Sequence, residues 1–190
     1  MPRVVSGKFR GIILDAPKGD NTRPTGDKVK EALFSILQTR IPGCAFIDLF
    51  AGTGGIGIEA LSRGANSVVL VEKAGQACGV IKGNLNKIRL DEDDDIKLMK
   101  AGYDAALMAL AEEGRKFDII FMDPPYRMAQ KTAETAAKII LEKDLLNDDG
   151  LFIVEHSSEL PFVTDVMNMK LNRSCRYGLA MITFFSKYDN

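Results

Sequence analysis

Phe46-Ile47-Asp48-Leu49-Phe50-Ala51-Gly52-Thr53-Gly54-Gly55-Ile56-Gly57, continued by Ile58 to Gly64, is the stretch whose reading decides the fold. A short apolar run ends at Asp48, glycines crowd the next turn, and a helical pattern through Ile56, Ala60 and Leu61 closes at Gly64, a residue suited to the left-handed position past a helix end. Strand, turn and helix follow in that order. Gly52, Gly54 and Gly57 match G-x-G-x-x-G, in which one glycine allows a tight turn, one lets backbone approach a ligand, and one lets helix and strand pack closely. Such a loop predicts a nucleotide-like cofactor.

Which cofactor is decided by the neighbouring charges. In the dinucleotide fingerprint the glycines receive a pyrophosphate at a helix N-terminus. Here Asp48 stands at the strand end just before them, and a carboxylate there repels phosphate and suits a cationic group such as the ammonium of a methionine moiety. Twenty residues beyond Gly52, Glu72 closes the apolar strand Ser67 to Val71, the spacing of an acid that takes the hydroxyls of a ribose. Together these features predict S-adenosylmethionine in preference to NAD.

The chain has 190 residues, a size that predicts one domain with a proper core, with residues 1–22 as a basic arm and 23–190 as the core. Its formal net charge of -1 excludes a polybasic nucleic-acid binder, so any RNA contact must come from a local patch. The first thirty residues supply one: seven Lys and Arg, among them Arg3, Lys8, Arg10 and Arg23, stand against three Asp. No apolar run has the length of a membrane span and the N-terminus lacks a signal-peptide core, so a cytoplasmic location is expected. Cys44, Cys78 and Cys175 are odd in number, far apart and read as reduced thiols. His156 has no companion for a metal site, and the acidic run Asp91 to Asp95 reads as a solvated connection, so no metal is expected.

Arg3 to Leu14 alternates loosely around Gly7 and Gly11, which predicts a small N-terminal β-hairpin. A helix capped by Thr25 or Asp27 follows, with Val29, Leu33, Ile36 and Leu37 on one face. Strands and helices then alternate as far as a turn at Asn147 to Gly150 and a strand at Leu151 to Val154, while the tail holds two β-like runs around Gly178. The pattern predicts a doubly wound, mostly parallel α/β sheet finishing in an antiparallel strand pair.

The second decisive stretch, Phe117 to Tyr126, is an apolar strand that ends in Asp123-Pro124-Pro125-Tyr126. Prolines stiffen the loop and leave carbonyl acceptors without competing donors. An exocyclic NH2 becomes a better nucleophile when both hydrogens are held by acceptors. The Asp123 carboxylate and the Pro124 carbonyl can hold them, while Tyr126 stacks on the base, a contact worth about 1–3 kcal/mol.

Asp123 to Tyr126 resembles the catalytic tetrapeptide of methyltransferases that act on amino groups of bases or of glutamine, and Asp48 to Gly57 resembles their S-adenosylmethionine loop. With Val5 to Gly11 and Thr22 to Phe34 added, the chain resembles the bacterial 16S ribosomal RNA guanine-N2 methyltransferase family from its N-terminus through Glu155. The resemblance implies a class I methyltransferase fold that methylates the 2-amino group of a guanine in the small ribosomal subunit. It places Asp48, Phe50, Ala51, Gly52, Thr53, Gly54 and Gly57 on the cofactor loop, Glu72 with Lys73 at the ribose, and Asp123, Pro124, Pro125 and Tyr126 on the catalytic loop. Arg23 and Thr25 fall near the cofactor and the RNA entrance, whereas Arg3, Lys8 and Arg10 are expected at RNA phosphates from the charge of the arm. Where an Asp or Asn often meets the adenine, this chain has Ala101-Gly102 before Asp104, so either a backbone carbonyl or Asp104 reads that group. Two other readings remain open at this level: the same fold acting on adenine N6 or glutamine, and a non-catalytic RNA-binding assembly protein. With no separate recognition domain in the pattern, the expected substrate is one whose shape does the selecting, such as an assembling ribosomal particle.

Overall fold

The computed structural model describes residues 2–16, 26–90 and 95–188. Arg23, Thr25, the linker 17–21 and the acidic residues 91–94 therefore lie outside the described residues. The chain divides into two compact units, Met1–Gly102 and Tyr103–Asn190.

The first unit holds α1 (Asp27–Ile36), β1 (Ala45–Asp48), α2 (Gly55–Ser62), β2 (Ser67–Glu72), α3 (Gly75–Lys87) and β3 (Ile96–Lys100). β1, β2 and β3 pair in parallel, with Asp48 opposite Leu70 and Glu72 opposite Lys100, so all three strands end at one edge. Phe46, Ile47, Val68, Val69, Leu70 and Val71 are buried, as continuous apolar runs demand of strands covered on both faces. Gly64 takes φ +99° past the end of α2, the conformation predicted for it.

Two local predictions take a different form. α1 has Gly26 at its N-cap with no side-chain cap, and Asp27 is its first helical residue. Its buried residues are Lys30, Leu33 and Phe34, followed by Leu37 just past its end, whereas Val29 and Ile36 are half-buried. The face is rotated because a lysine and a phenylalanine are drawn in by residues of α2. The N-terminal segment does return antiparallel, but the hairpin is one isolated bridge between Arg3 and Ile13. Val4 N–H donates across it to the Ile12 carbonyl at 2.9 Å, Gly11 N–H to the Val4 carbonyl at 2.8 Å and Leu14 N–H to the Pro2 carbonyl at 2.8 Å, while other amides reach α2. Val5 N–H donates to Glu59 Oε2 at 2.7 Å, Ser6 N–H to Glu59 Oε1 at 3.0 Å, and Phe9 N–H to Ser62 Oγ at 2.9 Å. Val4, Phe9 and Leu14 are buried alongside.

Glu59 is fully buried. Besides the two amides it meets Arg63 Nε at 2.7 Å and Lys30 Nζ at 3.6 Å, and Lys30 also donates to the Arg3 carbonyl. The Arg63 guanidinium lies 4.9 Å from the Phe34 ring centroid. One carboxylate thus joins the arm, α1 and α2. Lys30, counted in the basic arm from sequence, is spent inside this cluster and is not offered to phosphate.

The second unit holds α4 (Tyr103–Glu112), β4 (Phe117–Met122), a 3₁₀ turn (Tyr126–Met128), α5 (Ala129–Glu142), β5 (Leu146–Ser157), a second 3₁₀ turn (Asp165–Met167), β6 (Lys170–Tyr177) and β7 (Ala180–Ser186). β4 and β5 are parallel, β7 is antiparallel to β5, and β6 is antiparallel to β7 on the outside. The turn predicted at Asn147 to Gly150 is an excursion within β5. Phe117 faces Leu146 and Ile119 faces Leu151, so Asp118 alone opposes those four residues, and Asn147 Nδ2 closes the gap by donating to Asp118 Oδ1 at 2.7 Å. Asp144, between α5 and β5, is paired with Lys116 and Lys187, whose hydrogen bonds hold its carboxyl at about 2. The fold is the doubly wound, mostly parallel α/β class finishing in an antiparallel strand pair, as the alternation predicted.

Removing the partner of a buried charge costs more than the pair contributes, because the remaining ion stays desolvated. Glu59→Ala is expected to lower stability by about 3–5 kcal/mol in urea unfolding, and Glu59→Gln by less, since its amide oxygen still accepts from the arm. The same variants should make the first fifteen residues sensitive to protease.

Candidate active site

In the first unit, the residues that could hold a cofactor gather at the edge where β1, β2 and β3 end. Gly52 and Gly54 have φ of +55° and +78°, values that an L side chain strains to adopt, and Gly54 is the N-cap of α2. A Cβ on Gly57 would stand 2.2 Å from Leu70 Cδ2 and 3.0 Å from Val68 Cγ1, so the third glycine serves the close packing of helix on strand expected of it. The turn is stitched by Gly54 N–H to the Ala51 carbonyl at 2.7 Å and Ala51 N–H to the Val71 carbonyl at 2.9 Å.

Glu72 sits half-buried beside this turn. Its Oε2 accepts Gly52 N–H at 2.9 Å and its Oε1 accepts Ala74 N–H at 2.7 Å. Each oxygen keeps a second lone pair, so the carboxylate that fixes the loop can also accept hydroxyls. Asp48 is 1% exposed and accepts Phe50 N–H at 3.2 Å. Two carboxylates at one glycine loop fit a cationic, hydroxyl-bearing ligand and oppose a pyrophosphate. Phe50, Gly52 and Thr53 are half-buried, while Ala51 is buried and Lys73 is exposed. Ala101 and Gly102 follow β3 at the same edge, with Ala101 N–H on the Glu72 carbonyl at 3.1 Å.

Two supports at this edge escaped the sequence reading. Asn84, fully buried on α3, donates to the Thr53 carbonyl at 2.9 Å and accepts Asp15 N–H at 2.7 Å. A polar residue on the face that carries Ala77, Ile81 and Leu85 was its signal. Cys78 donates to the Glu72 carbonyl at 3.4 Å, and its thiol is pushed up by burial and by the Glu72 charge. Of the basic arm, Arg3, Lys8 and Arg10 are exposed, with Lys8 Nζ 5.3 Å from the Phe9 ring centroid.

In the second unit, β4 delivers Asp123 and Tyr126, both half-buried, and Pro124, which is buried, to the edge where β5 also ends. Met122 pairs with Val154, so Asp123 leaves β4 level with Glu155, while β5 runs on to Ser157 and pairs Glu155 with Ile182 of β7. Glu155 is 3% exposed, and its Oε1 accepts from the Tyr126 hydroxyl at 3.5 Å. In the sequence Glu155 follows the apolar run Leu151 to Val154 as Asp123 follows the run Ile119 to Met122, and that position was its signal. The Pro125 carbonyl accepts Met128 N–H at 2.8 Å and starts the 3₁₀ turn, whereas the Pro124 carbonyl takes no hydrogen bond among the described residues. Asp104 is exposed, with its Oδ1 on Ala105 N–H at 2.9 Å, and belongs to the first turn of α4.

His156 is buried and stacks on Phe162 at 3.9 Å between centroids. Its Nδ1 lies 3.2 Å from the Ser157 carbonyl and its Nε2 2.9 Å from Thr183 Oγ1. With the proton on Nδ1, the first is a donated and the second an accepted hydrogen bond. Burial pushes its pKa down. Among the described residues no group of three or more His, Cys, Asp or Glu could hold a metal ion, and no helix is long and apolar enough to cross a membrane.

The model of a family described as conserved hypothetical protein 95 matches residues 2–186. The chain is 36% identical over 185 residues to YlbH of Bacillus subtilis, covering 97% of this chain and 98% of that protein. It is 31% identical over 171 residues to the ribosomal RNA small subunit methyltransferase D of Escherichia coli, covering 90% and 82%. The solved structure of yhhF from Escherichia coli superposes with a TM-score of 0.80 at 28% identity, covering 99% of this chain and 98% of that one.

Two substitutions check these assignments. Gly57→Ala overpacks the helix against β2, and a loss of about 1–3 kcal/mol in thermal or urea unfolding is expected. His156, whose folded pKa lies below its ordinary value, binds a proton less readily folded than unfolded, so stability is intact above about pH 6.5 and falls as pH drops through that value. His156→Gln should flatten the stability profile between pH 7 and pH 5 without changing cofactor affinity.

Proposed function

The chain belongs to the family described as conserved hypothetical protein 95, and from that membership we propose that it transfers a methyl group from S-adenosylmethionine to the N2 amino group of a guanine in 16S ribosomal RNA. Its relatives in Escherichia coli and Haemophilus influenzae are named ribosomal RNA small subunit methyltransferase D. The observation that carries the reading is the acid, two prolines and tyrosine at the end of β4, with the tyrosine hydroxyl on the buried Glu155.

S-Adenosylmethionine supplies, when bound, a methyl group on a sulfonium that needs no further activation. Glu72 would hold its ribose hydroxyls, Asp48 its ammonium, and the Ala101–Gly102 backbone the adenine. The Gly52–Gly54 turn would let the loop's main chain approach it.

The remaining work falls to the second unit. Asp123 and the Pro124 carbonyl accept the two hydrogens of the guanine amino group, which turns its lone pair outward and stabilises the positive charge that grows on nitrogen. Asp123 then takes the proton that the methylated nitrogen sheds. Tyr126, steadied by Glu155, fixes the plane of the base. Catalysis by such a site is positioning and charge stabilisation, with no covalent intermediate on the enzyme. An assembly intermediate of the small subunit, in which the target base is splayed out, is the substrate form we propose.

S-Adenosylmethionine should raise the melting temperature and NAD should not, since only a ligand of the folded state stabilises it. Asp123→Ala should lower the single-turnover rate on small-subunit particles by about 10²–10³, with little change in cofactor affinity, and Asp123→Asn should retain more activity. Nucleoside mass spectrometry of the product RNA separates guanine N2 from adenine N6. A wild-type protein that binds particles but transfers no methyl group would return the reading to an assembly factor.

A further inference from the structure

β6 is the outermost strand of the second unit, and none of its eight residues is buried: six are exposed and two, Cys175 and Tyr177, are half-buried. Its neighbour β7 is its opposite, with Ile182, Thr183, Phe184 and Phe185 in the core. The open strand is basic. From Lys170 to Tyr188 the sequence contains Lys170, Arg173, Arg176 and Lys187 and no carboxylate, in a chain whose net charge is -1. Lys187 is taken up by Asp144 and Asp148. Arg173 and Arg176 meet no carboxylate among the described residues; Arg173 Nε lies on Cys175 Sγ at 2.9 Å and Arg176 Nε on the Gly178 carbonyl at 3.1 Å.

The register spreads these cations over both faces. The shift between Leu171 and Arg173 leaves Lys170 opposite Ser186 and Arg173 opposite Phe184, two residues apart on β7 and so on one face, while Arg176 opposite Met181 is on the other. The strand is also anchored at the end that matters. Ser158 N–H donates to the Leu179 carbonyl at 2.9 Å and Ser158 Oγ to the Gly178 carbonyl at 3.2 Å, tying the β6–β7 turn to the residue that follows β5, three positions beyond Glu155. From Arg176 at that end, the cations lead back to Lys170 over about 20 Å.

We propose that β6 is a contact surface for the RNA phosphate backbone, separate from the N-terminal arm, that holds the strand flanking the target base. The proposal rests on the RNA methyltransferase reading and names a further part of its partner's path. A polyanion is the occupant this surface suits, because exposed guanidinium groups on both faces of an uncovered strand, with no acid among them, match phosphates on either side and repel a basic protein. Arginine on an edge strand also discourages pairing with another chain, and the test separates the two roles.

The probe is the small ribosomal subunit from a strain that lacks the protein, titrated over a range of salt with wild type and with a Lys170→Gln, Arg173→Gln, Arg176→Gln variant. All three side chains are exposed, so the melting temperature and S-adenosylmethionine affinity should stay the same. The slope of log affinity against log salt should flatten by about 0.7–0.9 for each phosphate that the variant no longer neutralises. The KM for particles should rise while the rate at saturation holds. An unchanged slope and KM overturn the proposal, as does self-association of the variant with unchanged RNA affinity, or a photo-crosslink from position 174 to a ribosomal protein instead of rRNA. If wild type transfers no methyl group but the slope still flattens, the enzyme reading fails and the RNA surface stands. If wild type transfers normally and the slope does not move, only the surface fails.

Discussion

The absence of a side chain at Gly57 is the constraint from which the first unit follows. With room for no Cβ between α2 and Leu70 of β2, the helix lies close on the strand, and its N-terminus is thereby aimed at the edge where the parallel strands end. The turn that leads into it must then be tight and left-handed, which is why Gly52 and Gly54 carry positive φ. Half a turn beyond Gly57, Glu59 is carried into the interior, where no water can solvate it. Its charge is offset there by Lys30, Arg63 and two amides of the N-terminal segment, and these bring α1 and the arm into place. Glycine loop and arm share one helix as their reference.

Much of this was legible in the sequence because it depends on period and on glycine. Apolar runs of four to six residues separated by helical repeats define the strands β1 to β4 within a residue or so, and the hairpin around Gly178 is equally plain. What was not legible depends on charge meeting charge at long range. Lys30 reads as a solvated lysine until Glu59, 29 positions away, draws it in, and α1 turns its face accordingly. The N-terminal hairpin forms, with the Val4, Gly11 and Leu14 amides bonded across it, but the amides of Val5, Ser6 and Phe9 reach side-chain oxygens on α2, a use that no local pattern shows. At Asn147 to Gly150 the composition of a turn is real, but the strand resumes beyond it in the same ladder.

The site divides in the same way. Asp48, Glu72 and Asp123 are visible because each acid ends an apolar strand, and that position puts it at the ligand edge of an α/β sheet. Asn84 and Glu155 are less visible because their work is done on other residues. Asn84 holds the loop carbonyl of Thr53, and Glu155 meets the hydroxyl of Tyr126. Glu72 belongs to both groups. It grips Gly52 and Ala74 with the same carboxylate that faces the expected ribose, so the loop is held in shape by the group that would bind, and little ordering is left for the ligand to impose.

The docking of the N-terminal segment on Glu59 and Ser62 is recognition of main chain, and that bears on how the segment can evolve. Val5, Ser6 and Phe9 are gripped by amide hydrogens that every residue except proline carries. Selection can therefore exchange the exposed side chains at Arg3, Lys8 and Arg10 one by one, altering the charge presented to solvent, while the attachment itself stays constant. Apart from the buried Val4, Phe9 and Leu14, drift along this segment meets two strict bars: a proline at a gripped amide, and any side chain at Gly7, where φ is +84° and a Cβ would stand 1.8 Å from the Ser62 carbonyl oxygen.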